Sequence, residues 1–263
     1  MAVMRVTAIG WRAHDALTGS GGLASVVAPL TESFYAAAAG ELIWVGGPAT
    51  TLHPRAVLVS GLSVPAKSAT VRVPVDGVMP WRPAPAPASS GDTKASARAV
   101  RAALREGRGL ARLMFDTGGD DPVAVKARPH VLALAVACAS GAPLAFADAA
   151  CPLLGLGAGL TPSGDDFVGG ALFARRVLGP WGTGWDAAVA RIVSEAATAT
   201  HPISARLLAD LAAGEAWAPL HELAGALAHG AHDEAVAAAR LVTALGHTSG
   251  WDLTAGFLTA ATA

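Results

Sequence analysis

The sequence predicts an α+β protein, with a β-rich N-terminal part followed by a larger, mainly α-helical part. Three observations predict this class. Short apolar or alternating runs separated by turn residues occupy the chain up to Val78. Pro80 to Ser90 then alternates proline with alanine and serine, which is typical of a stiff linker. Beyond that stretch apolar residues recur with helical spacing.

Five runs in the N-terminal part predict strands at hairpin-like spacing. They are residues 5–9, 23–30, 41–45, 56–59 and 69–75. Gly46-Gly47-Pro48 and Asp76-Gly77 suit turns between them. We therefore expect a small antiparallel sheet or barrel over residues 1–79, with a linker over residues 80–92.

Residues 93–263 are expected to form a helical domain that carries the ligand loop described below. The segments with helical periodicity are 93–114, 130–139, 167–178, 185–200, 203–213, 220–229, 233–245 and 253–260. Asp116 to Pro122 interrupts the pattern with Gly118-Gly119, and residues 123–125 suit either a short strand or a helix start.

Composition argues against a nucleic-acid-binding, membrane or secreted protein. A net charge of −1, with scattered basic residues, gives no basic surface for nucleic acid. The longest apolar run, residues 131–139, is too short to span a bilayer, and the start of the chain lacks a secretory signal. Cys138 and Cys151 are the only cysteines, which fits small apolar side chains in a reducing compartment. These features predict a cytoplasmic protein without nucleic-acid or membrane partners.

The most informative stretch is Gly155-Leu156-Gly157-Ala158-Gly159-Leu160-Thr161-Pro162-Ser163-Gly164-Asp165-Asp166. Its glycines suit positive φ angles or a close approach to the backbone. Thr161 can cap a helix and Pro162 suits the first helical position, so the loop is predicted to open into a helix. Free amides that lead into a helix N-terminus favour an anion.

Better-known motifs do not match this loop. A Walker loop needs lysine after the last glycine, where Asp165 stands, and a dinucleotide loop needs a different glycine spacing. A nucleophile elbow needs glycine at position 161, so Ser163 is a poor hydrolase nucleophile. A purely structural interpretation is that the loop only shapes a helix start, with Asp166 completing a capping box.

A second stretch, Gly246-His247-Thr248-Ser249-Gly250-Trp251-Asp252, shares the pattern Ser-Gly-x-Asp-apolar-x-x-Gly with the segment that begins at Ser163. We expect two similar helix N-termini that converge on one ligand. In this alignment Asp166 and Asp252 take the capping-box position. Asp165 is replaced by Trp251 in the second copy and is predicted to be the chemical or ligand-recognition group.

Other polar residues are weaker candidates. His247 precedes the second helix start, where it could donate to an oxyanion or move a proton. Thr200 to Ser204 forms a third polar helix start, with Ser204 or Thr200 as its cap and His201 in a turn. No metal site is predicted from His or Cys spacing, although the aspartates could hold Mg²⁺ through water.

The loop resembles the Gly-Leu-Gly-x-Gly-Leu-Thr-Pro-Ser-Gly-Asp-Asp hallmark of a bacterial family that includes AllH, a subunit of oxamate carbamoyltransferase. The stretch from Gly246 to Asp252 resembles the family's later Gly-His-Ser-Ser-Gly-x-Asp segment, with Thr248 in place of a serine. Ala158 stands where many members carry proline. The resemblance covers residues 153–257.

The resemblance implies carbamoyl transfer between oxalurate or oxamate and carbamoyl phosphate, in anaerobic allantoin use, together with partner subunits. The expected function is a carbamoyltransferase-type enzyme or subunit that binds a small anionic metabolite. The alternative is a non-catalytic subunit that binds a metabolite or serves assembly. No cofactor is predicted, with Mg²⁺ left open as a bridge between the carboxylates and an anionic ligand. The predicted catalytic residues are Asp165, His247 and Ser249, and the predicted substrate-binding residues are Gly155, Gly157, Gly159, Thr161, Ser163, Gly164, Asp166, Thr248, Gly250 and Asp252.

Overall fold

The structure is a computed structural model that describes residues 4–85, 90–115 and 121–263. Residues 116–120 of the predicted break at 116–122 and part of the predicted linker lie outside the described residues. The chain divides into two compact units, Met1–Ala84 and Pro85–Ala263. The first holds a curled six-stranded sheet and the second is mainly helical, so the predicted α+β class is confirmed.

The sheet has the strand order β1-β5-β4-β3-β2-β6. The strands are β1 (Arg5–Ile9), β2 (Leu23–Pro29), β3 (Ser33–Ala38), β4 (Glu41–Gly46), β5 (Ala56–Ser60) and β6 (Thr70–Arg72). Strands β4 and β5 pair in parallel, while the other pairs are antiparallel. The prediction of an antiparallel sheet or barrel is therefore wrong in this respect: the sheet is mixed, with β1 and β6 at its edges among the described strands. Alternation along a strand indicates its buried face but carries no information about the direction of its neighbour.

Two elements of this unit were not predicted. Helix α1 (Trp11–Gly19) follows β1 and buries Ala13, Ala16 and Leu17, which have helical spacing. Strand β3 is buried at five of its six positions, so it lacks the alternation that identifies half-buried strands. Both elements pack into the apolar core of the sheet unit.

The second unit contains nine described α-helices. They are α2 (Thr93–Leu104), α3 (Pro122–Ser140), α4 (Pro143–Ala150), α5 (Ser163–Leu178), α6 (Thr183–Ala199), α7 (Pro202–Ala212), α8 (Ala218–His229), α9 (His232–Thr243) and α10 (Ser249–Ala261). The predicted helix over 93–114 is interrupted: Arg105 has φ 56°, and a 3-10 turn follows at Gly109–Met114. Residues 123–125 belong to α3, and α4 was not predicted.

Among the described helices, α3 is the one that is long and apolar enough to cross a membrane by length and composition. It also carries Lys126 and Arg128, and it buries Ala127 and Leu134 within the helical unit. Core helices of water-soluble proteins meet the same two criteria. The predicted cytoplasmic location stays a prediction.

Candidate functional site

Helices α5 and α10 pack along each other more extensively than any other pair of described helices. Their contact is reciprocal at two glycines. A Cβ atom at Gly170 would overlap the carbonyl oxygen of Leu253, and one at Gly256 would overlap the carbonyl oxygen of Phe167. Both backbones therefore need glycine at these points. The sequence similarity between the two segments corresponds to a repeated local structure.

The two helices begin side by side. Thr161 Oγ1 lies 2.9 Å from Ser249 Oγ. The hydroxyl group of Ser249 hydrogen-bonds Asp166 on α5, and that of Ser163 hydrogen-bonds Asp252 on α10. Each helix start thus supplies a hydroxyl group to the carboxyl group of the other helix. The expected convergence of the two helix starts is confirmed, while binding of a ligand between them stays a prediction.

Asp166 and Asp252 form a buried pair of carboxyl groups, 5% and 0% exposed. Burial raises the pKa of Asp166 well above its usual range, and the nearby charge of Asp252 raises it further. Burial also raises the pKa of Asp252 to about 7, although hydrogen bonds from Ser163 and from backbone N–H groups oppose that shift. The Oδ2 atom of each side chain has no hydrogen-bond partner. Two buried acceptors are therefore unsatisfied at the junction of the helices.

A 3-10 turn holds Asp252 from the other side. The N–H group of Leu110 donates to Asp252 Oδ1 at 2.6 Å. Gly109 precedes it with φ 55°, and a Cβ there would overlap the carboxyl group of Asp252. Sequence reasoning missed this turn because it assigned the segment to one long helix. The glycines at 107 and 109 inside that predicted helix were the signal that could have revealed it.

Asp165 is buried and its carboxyl group is fully engaged within the chain. Its Oδ1 atom accepts from the N–H group of Gly155 at 2.7 Å, and its Oδ2 atom accepts from the hydroxyl groups of Ser204, at 2.6 Å, and Thr200. The side chain thereby joins the glycine loop to the junction between α6 and α7. This structural role was not expected for the residue predicted to recognise a ligand.

The capping-box interpretation of Asp166 and Asp252 is wrong. Pro162 and Thr248 are the N-cap residues of α5 and α10, and neither helix has a side-chain hydrogen bond at its cap. Ser163 and Ser249 are the first helical residues, and their hydroxyl groups point across to the other helix.

The cap of α7 also differs from the prediction of Thr200 or Ser204. His201 is the N-cap residue, and its Nδ1 atom accepts from the N–H group of Ile203 at 3.2 Å. Thr200 and Ser204 bind Asp165 instead.

The glycine loop has the predicted backbone conformation. Gly155, Gly157 and Gly159 have φ angles of 71°, 124° and 96°. Residues that carry a Cβ atom rarely adopt such positive φ angles. The N–H groups of Gly164 and Gly250, however, donate to carbonyl oxygens of their own loops, at 2.9 Å in each case. The amides at the two helix starts are thus partly used within the protein.

Residues nearer to the surface surround the buried pair. Thr161, Ser163, Thr248 and Ser249 are all partly exposed, and the Thr248 side chain hydrogen-bonds Asp252. His247 is exposed in the turn before α10. Hydroxyl groups therefore lie between solvent and the two carboxyl groups.

Cys151 lies just before the glycine loop and is partly buried, whereas Cys138 is buried. Burial raises the pKa of the Cys151 thiol to about 11, and the neighbouring Glu195 adds to the shift. The thiol stays protonated at neutral pH, so Cys151 is unsuited to act as a nucleophile.

Comparison with known protein families gives a match that covers this site. Residues 153–261 match the family described as oxamate carbamoyltransferase subunit AllH. This region of the chain is AllH-like. The AllH-like region contains the glycine loop, both helices of the pair and the residues that hold Asp165, while Leu110 lies before it. No curated protein and no solved structure matches the chain.

Proposed function

We propose that this chain is a carbamoyltransferase-type enzyme or enzyme subunit that binds a small anionic ligand at the starts of α5 and α10. One observation carries the proposal: two unsatisfied carboxyl oxygens, on Asp166 and Asp252, lie beneath hydroxyl groups where two helix N-termini meet. The AllH-like match supports the class of reaction, because the family is described as a subunit of oxamate carbamoyltransferase. A subunit of such an enzyme works with partner subunits.

The charges at the site restrict which charged and hydrogen-bonding groups a ligand can carry. Helix N-termini favour an anion, while the buried carboxyl groups disfavour one. A ligand with an anionic end and an N–H-bearing end, such as carbamoyl phosphate or oxamate, meets both demands if its anionic end faces the hydroxyl groups. A cation between the carboxyl groups would also remove the conflict.

In the proposed reaction the amide nitrogen of oxamate attacks the carbonyl carbon of carbamoyl phosphate. The bond from that carbon to the phosphate oxygen breaks, its electron pair leaves with phosphate, and the nitrogen loses a proton. In this proposal the anionic groups of the ligand lie at the hydroxyl groups of Ser249 and Thr161, and His247 accepts the proton. Asp165 acts as a positioning residue that fixes the loop at Gly155.

The test is release of phosphate from carbamoyl phosphate plus oxamate, measured for the purified chain alone and with its partner subunits. We expect turnover that falls at least tenfold in Ser249→Ala. Asp148→Asn, a change to an exposed carboxylate on α4, is the control and should keep full activity. Absence of turnover in every combination would refute the enzyme proposal.

A non-catalytic assembly subunit is the second candidate, and one feature favours it. Helix α3 exposes an apolar stripe of Val125, Leu132 and Val136, which are 54%, 61% and 69% exposed. Exposed apolar side chains aligned on one helix face are typical of protein interfaces. If assembly is the sole role, Leu132→Asp should abolish complex formation, and Ser249→Ala should leave the activity of the assembled complex unchanged.

A further inference from the structure

The pair of carboxyl groups at the α5–α10 junction has features beyond those of a helix contact. Both side chains are more than nine-tenths buried, and the Oδ2 atom of each lacks a hydrogen-bond donor. A buried acceptor without a partner is unfavourable, and Asp166 and Asp252 belong to the two helix starts that meet here. Two buried carboxyl oxygens at one helix junction therefore lack the partner that each requires.

We infer that Asp166 and Asp252 together bind a hard divalent cation, Mg²⁺ or Mn²⁺, between the starts of α5 and α10. The ion supplies the missing partner of both Oδ2 atoms. Oxygen atoms of neighbouring hydroxyl groups and water complete its coordination. Because the inference concerns binding of the metal alone, it goes beyond the proposed reaction and does not depend on it.

The oxygen atoms available at this site indicate which metal it would bind. Carboxylate and hydroxyl oxygens suit Mg²⁺ and Mn²⁺, whereas zinc and iron sites use histidine or cysteine. In the parts of the chain that the structure describes, no group of three or more His, Cys, Asp or Glu side chains could share an ion. Mg²⁺ is commonly held by one or two carboxylates together with water and phosphate oxygens. Two carboxylates thus match its usual requirement.

The burial of the pair favours an ion over an organic group. Asp252 is 0% exposed and Asp166 is 5% exposed, so a bulky ligand atom has little access to their inner oxygens. A single ion is smaller than any organic ligand group. The duplicated arrangement also fits this role, since equivalent positions on two similar helices present one free oxygen each. A bound ion would in turn attract the anionic end of a ligand toward the hydroxyl groups of Thr161 and Ser249.

The test is titration of the full-length chain with Mn²⁺ after removal of metals by EDTA, following the free Mn²⁺ signal by electron paramagnetic resonance. We expect one Mn²⁺ per chain, displaced by Mg²⁺. Asp166→Asn and Asp252→Asn should each weaken binding at least tenfold, while Asp148→Asn should leave it unchanged. Circular dichroism and thermal unfolding establish that each variant is folded.

Should either asparagine variant fail to fold, Ser163→Ala and Ser249→Ala take its place, with an expected loss of at least threefold in affinity. No saturable binding, or binding that persists in the folded variants, overturns the inference; the first result would mean that the pair holds a proton instead. Metal binding without phosphate release would refute only the proposed reaction. Phosphate release with no metal bound would refute only the cation site.

Discussion

Two adjacent aspartates on α5 have opposite surroundings. Three hydrogen-bond donors surround Asp165, whereas Asp166 faces another carboxyl group and has a free oxygen. Neighbouring residues of a helix point about 100° apart, so they meet different partners. The sequence pattern predicted a ligand-recognition role for Asp165, whereas in our proposal that role belongs to Asp166 and Asp252. A catalytic role for Asp165 itself stays an untested prediction.

Asp165→Asn is expected to destabilise the fold. The amide would place an NH₂ group against donors that now meet a carboxylate oxygen, at a cost of about 1–3 kcal/mol in the free energy of unfolding. Asp166→Asn is the matched control, because it removes a buried carboxyl group that has a like-charged neighbour and a free oxygen. In EDTA it should leave stability unchanged or increase it. Urea unfolding measures both, and an equal loss in the two variants would contradict this assignment.

His221 predicts a pH dependence of stability. Burial lowers the pKa of this histidine to about 4; its Nε2 atom accepts from Ala216 N, and its ring meets Phe173 edge to face. A histidine whose pKa is lowered in the folded state binds a proton more readily when unfolded. The contribution of neutral His221 to the free energy of unfolding is therefore complete above pH 6.5, and it is lost as the pH falls toward 4.

Between pH 6.5 and pH 4 the free energy of unfolding is expected to fall by about 3 kcal/mol because of His221, since each pKa unit corresponds to about 1.4 kcal/mol. Urea unfolding at several pH values, compared between the natural chain and His221→Gln, isolates this contribution. The two curves should converge as the pH falls. Parallel curves would show that His221 does not titrate in this way.

At the scale of elements, the α5–α10 pair depends on glycines that let two backbones touch. Both Gly170 and Gly256 would place a Cβ atom on a carbonyl oxygen of the opposite helix. Glycine inside a helix is costly, and this contact explains why both helices carry it. The close contact also brings the two helix starts together.

Gly170→Ala is expected to destabilise the protein by about 3 kcal/mol or more, because the helices must separate to admit a methyl group. Gly225→Ala on α8 is the matched control. A Cβ at Gly225 meets nothing within 4 Å, so alanine should stabilise that helix by about 0.5–1 kcal/mol. Thermal unfolding compares the two variants. A small effect at Gly170 would show that the helices tolerate a wider separation.

At the scale of the whole molecule, each unit has its own core. The apolar cluster of the sheet unit lies entirely within Met1–Ala84. The AllH-like match and the 3-10 turn that holds Asp252 both lie within Pro85–Ala263. We therefore expect residues 85–263 to fold by themselves and to bind Mn²⁺ as the full chain does.

This expectation is tested by expressing residues 85–263 alone. A helical circular dichroism spectrum, cooperative thermal unfolding and Mn²⁺ affinity within about threefold of the full chain are the expected results, a factor worth about 0.7 kcal/mol. The full chain is the reference. Binding of a hydrophobic dye without a cooperative transition would show that the helical unit depends on the sheet unit.

The sequence by itself determined the features that depend on near neighbours in the chain. Positive φ angles in the glycine loop, the repeated helix starts and the helical content follow from local sterics and periodicity. The tertiary structure decided which parts of the chain meet. Strand β4 pairs in parallel with β5, Asp165 bonds to α7, and the N–H group of Leu110 donates to Asp252, 142 residues away. These contacts depend on how helices and strands pack in space. Spacing along the chain does not specify that packing.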